Sequence, residues 1–103
     1  MNDTKWREIF WAFFDEERKS GGIYTRWRKK DKISGDISEW DATWTHFGAH
    51  PPEYHRVEWL KIQLDDVTRD FVLNTLIKIH VPAEVSENEV TVYGYRTDVD
   101  YLS

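Results

Sequence analysis

The chain has 103 residues, 16% of them aromatic and 32% charged, with no cysteine and a formal net charge of −5. A chain of this length suits one domain that buries about 60–70% of its unfolded surface, and so many aromatics exclude a disordered chain despite the charge. The missing thiols exclude a disulfide scaffold, a cysteine nucleophile and a thiolate metal site.

Residues 4–19 are expected to form an amphipathic helix, capped by Asp3 or Thr4. Trp6, Ile9, Phe10 and Phe13 recur at helical spacing, and Trp11 and Phe14 widen the apolar stripe. One helix rarely buries six such groups, so Trp11 or Phe14 is expected at the edge. Ser20, Gly21 and Gly22 stop the helix. Residues 23–29 alternate as a half-buried strand, with Ile23, Thr25 and Trp27 on one face and Tyr24, Arg26 and Arg28 on the other. The run from Arg28 to Asp36 reads as an exposed connection. A second strand is expected over 38–47, with Trp40, Ala42, Trp44 and His46 sharing a face. Gly48 to Glu53 holds Pro51 and Pro52, which lack N–H donors, and reads as a loop.

Residues 53–64, EYHRVEWLKIQL, have the clearest strand character. Val57 and Trp59 are apolar on one face, and Leu60, Ile62 and Leu64 on the other. The apolar side changes between Trp59 and Leu60. Either a β-bulge reconciles this with a single core, or the strand is central and covered differently at its two ends. The expectation is a bulge or bend there, with His55 and Trp59 near the surface and Leu60, Ile62 and Leu64 buried. A second helix follows, from a cap at Asp65 or Asp66 to about His80. Residues 89–95 make a last strand, and residues 96–103 a loosely docked tail. The order α-β-β-β-α-β implies one α+β domain over 1–103. It is a two-layer sandwich, an antiparallel sheet of about four strands with two helices on one face. The second helix forms a crossover that permits a parallel pairing of the fourth strand.

The blocks TKWREIF, EWDATWTHF, RVEWLKI and VTVYGYR resemble those of a group of small bacterial proteins of unknown function. That resemblance implies a bacterial, cytoplasmic protein of about this size and carries no activity with it. The order αβββα is also similar to the double-stranded RNA-binding domain, which meets phosphates with a lysine cluster at the start of its second helix. Here Asp65 and Asp66 stand at that start, so nucleic-acid binding is not expected. No apolar run approaches the roughly 20 residues of a transmembrane helix, and the N-terminus lacks the pattern of a signal peptide. A soluble cytoplasmic protein without membrane contact is the expectation.

Charge is uneven along the chain. Residues 1–32 hold nine Lys or Arg against six Asp or Glu, and residues 33–103 hold five against thirteen. An acidic body of this kind suits solubility or a basic protein partner. His46, His50 and His55 flank the Pro-rich loop, with Asp41 and Glu53 near them. Imidazole and carboxylate together suit a zinc-like ion, but the prolines break the helical spacing such a site needs, and loop histidines with ordinary hydrogen bonds are the plainer expectation. Arg26 and Arg28 suit either a surface ion pair or an anion clamp. Trp27, Trp40, Trp44 and Trp59 are expected mostly in the core, with one or two exposed. No nucleophile elbow or phosphate loop is present.

These features favour a non-catalytic module that acts on a protein partner, as an inhibitor or immunity protein does, with no cofactor and as monomer or homodimer. Its expected contact residues are Arg26, Arg28, Trp44, His46, His50, His55 and Trp59. The alternative is a small-molecule or anion binder, or a small enzyme, built on His46, His50, His55 and Arg26.

Overall fold

The computed structural model describes residues 1–48 and 53–103. Helix α1 spans Asp3–Arg18. Asn2 caps it, one position before the expected Asp3, its side chain accepting from the Lys5 amide at 3.0 Å. Trp6, Ile9 and Phe13, three and four residues apart, form the buried stripe. Trp11 lies outside that stripe and is 50% exposed. The helix ends before Gly21, whose φ of 72° is left-handed. The Glu16 carboxylate then accepts the Ile23 amide at 3.0 Å.

Strand β1 is Trp27–Asp31, β2 Val57–Gln63, β3 Ala83–Val85 and β4 Glu89–Tyr93, with α2, Arg69–Ile79, between β2 and β3. Two helices and four strands make the α+β fold expected, and the sheet, ordered β1-β2-β4-β3, is antiparallel throughout. The last strand lies where it was expected, but the first runs Trp27–Asp31 rather than 23–29, and the second, expected over 38–47, does not form. Residues 37–47 make only isolated bridges to β1, Lys30 to Ile37 and Trp27 to Asp41, and then a 3-10 turn at Trp44–His46. Trp44 leaves the strand because it serves the core. Its indole stacks on Phe13 at 4.8 Å, and its Nε1 donates to Thr25 Oγ1 at 2.8 Å. Ala83–Val85 supplies the missing strand, too short to show alternation. Among the described residues no parallel pairing arises, because the chain after α2 turns through β3 before it reaches β4.

The reversal of apolar face in β2 has the cause expected, one residue earlier. Lys30 pairs with Trp59 while Asp31 pairs with Val57, so Glu58 is an extra residue opposite β1. This bulge turns Val57 back to the side of Leu60 and Ile62, and all three are buried. The inner sheet face of Trp27, Leu60, Ile62, Val90, Val92 and Ala83 joins Trp6, Ile9 and Phe13 of α1 and Val72 and Leu76 of α2 in one core. Both sheet edges are covered. Residues 36–41 return along β1, where Asp41 and Trp27 exchange amide bonds at 2.7 and 2.9 Å. The C-terminal segment returns along β3, where Pro82 bridges Tyr101. These returns occupy edge backbone that strand addition by another chain would use.

Candidate functional site

In a sheet covered by helices on one side, every second residue of each strand faces away from them. The pairing register groups these outward residues into two rows. One row runs Arg28, Lys61, Thr91 and Glu84, and the other Lys30, Trp59 and Tyr93. Trp59 and Tyr93 are direct cross-strand partners at the centre. Trp40, exposed on the segment that returns along β1, lies against the Arg28 guanidinium at 4.8 Å. Arg96, just beyond β4, covers the Tyr93 ring at the same distance.

Most of the cations on this face are paired. Lys30 lies 3.1 Å from Glu58, Lys61 3.2 Å from Glu89, and Arg96 3.5 Å from Glu84 and 2.7 Å from Asp98. The Arg96 hydrogen bond holds the Asp98 carboxyl below the usual carboxylate range. Arg28 has no carboxylate partner among the described residues. Its Nε is buried and meets no hydrogen-bond acceptor, so its contact is the Trp40 ring. The face is therefore aromatic at its centre, with its charges largely neutralised around it.

Of the residues expected to form a site, Arg26, Arg28 and Trp59 belong to this face, Arg26 by continuing the alternation of β1. Trp44 does not. It is 0% exposed and lies within the core, where no partner can touch it. His46 is exposed, with Nδ1 2.6 Å from Asp41 Oδ2. Burial raises the Asp41 carboxyl, but the Thr43 amide and the His46 ring outweigh it and hold the group below its ordinary value. His55 sits in a separate 3-10 turn, Tyr54–Arg56, where its carbonyl accepts from the Tyr95 hydroxyl. No hydrogen bond or ion pair joins His46 to His55, and His50 lies outside the described residues. Among the described residues, no three His, Asp or Glu side chains gather as metal ligands.

Trp40, Lys30, Lys61, Tyr93 and Arg96 also belong to the face, although the sequence did not single them out as a site. The alternation of β4 sets Tyr93 on the face opposite Val90 and Val92. Trp40 left no such signal, since its segment is not a regular strand.

The model of a family of unknown function, DUF6678, matches residues 1–99. The chain belongs to that family. No curated protein and no solved structure matches it. No described helix is long and apolar enough to cross a membrane.

Proposed function

We propose that this is a bacterial, cytoplasmic, non-catalytic binding module that acts on a protein partner, and that the outer face of the sheet is its contact surface. The observation that carries this reading is the Trp59–Tyr93 pair, central on a face that the helices leave open and flanked by Trp40 on Arg28. Tryptophan, tyrosine and arginine are the residues that most often anchor protein interfaces. A polyphosphate partner needs free cations, and here Lys30, Lys61 and Arg96 are already held by carboxylates. With three of its cations occupied, the face favours protein over nucleic acid. The net charge of −5 speeds encounter with a basic partner, as an inhibitor or immunity protein meets a basic toxin.

The test uses tagged wild-type protein and the double variant Trp59→Ala/Tyr93→Ala, each used to capture partners from host extract for mass spectrometry. One stoichiometric protein is expected with the wild type. Removing an aromatic anchor costs about 2 kcal/mol or more, about 30-fold in Kd, so the variant should lose that partner while its circular dichroism stays unchanged. Equal recovery by both proteins, or no stoichiometric partner for either, overturns the reading.

A further inference from the structure

On another part of the molecule, the turn after β1 walls a cavity of about 300 Å³, lined by Lys29 and Arg56, Ser34 and Ser38, and Asp31 and Asp36. Its hydrogen bonds separate engaged groups from free ones. Asp31 is engaged: Oδ1 accepts the Ile33 and Ser34 amides at 2.8 and 3.0 Å, and Oδ2 lies 2.9 Å from Arg56 Nε. Arg56 also meets Glu53 at 3.3 Å, so two carboxylates neutralise it. Ser38 Oγ accepts the Lys29 amide at 3.0 Å, and Ser34 Oγ accepts the Asp36 amide at 3.1 Å. A hydroxyl that accepts in this way still has its own proton to donate.

Two charges remain. The Lys29 ammonium makes no hydrogen bond or ion pair among the described residues, and lies 5.6 and 6.0 Å from the rings of Phe47 and Trp27. Its side chain rises from the inner face of the edge strand, opposite Leu60. Burial lowers its pKa, partly offset by the charges of Asp31 and Glu53. The Asp36 carboxylate, on the exposed turn, likewise has no side-chain partner among the described residues. Ile37, beside it, is exposed and apolar.

We propose that this cavity binds a small amino carboxylate. The ligand's carboxylate takes the Lys29 ammonium and the hydroxyl protons of Ser34 and Ser38, and its ammonium pairs with Asp36. Charge-assisted bonds of this kind are the strong ones. A phosphate dianion fits poorly, since one free cation faces the uncompensated Asp36. The volume, at the lower limit of ligand pockets, suits a short chain against Ile37. This site is independent of the sheet face and stands whether or not that face binds a protein.

The experiment is an amide NMR titration of the whole chain with β-alanine, and with acetate and inorganic phosphate for comparison. β-Alanine should give saturable shifts centred on Lys29, Ser34, Asp36 and Ser38, at a half-saturation at least about 5-fold below that of either comparator. Lys29→Met should weaken binding by about 10-fold or more, and Asp36→Asn should remove the preference over acetate. Asp36 is exposed, so its variant remains informative even if Lys29→Met does not fold. Absent or linear shifts, shifts centred elsewhere, acetate or phosphate binding as tightly as β-alanine, or a preference unchanged in Asp36→Asn overturns the proposal.

Discussion

At the scale of the residue, the fold depends on a few close approaches. Gly94 follows β4 where the chain passes the β2 bulge, its amide donating to the Glu58 carbonyl at 2.9 Å. A Cβ there would lie 2.3 Å from the Val57 carbonyl oxygen. That atom belongs to backbone and cannot swing aside. Gly94→Ala should therefore cost about 2 kcal/mol, within the range of overpacked sites, as measured by urea unfolding. A stability equal to wild type would show that the bulge yields. Trp44 illustrates the opposite limit of what a residue reveals. A tryptophan beside histidines suggested a contact residue, yet its indole N–H has a buried partner in Thr25 and its amide donates to Glu17 at 3.2 and 3.3 Å. The sequence held the signal of a core tryptophan only in a distant threonine and glutamate.

At the scale of the element, local chemistry placed the helices well and their ends less well. The expected start of α2 at Asp65 or Asp66 proved to be a capping turn, with the helix beginning at Arg69. Asp65 Oδ1 accepts the amides of Val67 and Thr68, both at 2.9 Å, and Thr68 Oγ1 accepts the Asp65 amide in return at 3.1 Å. This is the reciprocal arrangement of a capping box. The Thr68 amide is the main cause that holds the Asp65 carboxyl below its ordinary value. Asp65→Ala should lower the Tm by a few degrees, a loss that persists at high salt because amide bonds rather than ion pairs disappear. A salt-sensitive loss would assign the effect to charge instead. In β2 the alternation was legible and its reversal correctly called for a bulge. The bulge falls at Glu58 because β1 and β4 fix the register from both sides, and no run of residues within β2 carries that information.

At the scale of the molecule, the described residues fill a shape with a radius of gyration of 12.7 Å, that of a folded chain of this length. Acid should loosen it. Glu16, Asp31, Asp41, Asp65 and Asp98 all have lowered pKa values in the folded protein. Such groups bind fewer protons folded than unfolded, so their contribution is complete at neutral pH and is lost as pH falls through the folded values, below about pH 4. Thermal melts from about pH 7 to pH 2 should show a Tm that declines chiefly below pH 4. A Tm independent of pH there would remove these carboxylates from the stability of the fold. The sequence by itself determined the class of fold, both helices, the alternation of the strands near residues 57–63 and 89–93 and the need for a bulge. Each of these depends on spacing of 3.6 or 2 residues along one segment. Only the tertiary structure decided which tryptophans are buried, that Ala83–Val85 rather than 38–47 completes the sheet, and that Trp59, Tyr93, Trp40 and Arg28 share a face. Those depend on pairing between residues far apart in the chain, and a core tryptophan and a surface tryptophan carry the same letter until their neighbours are in place.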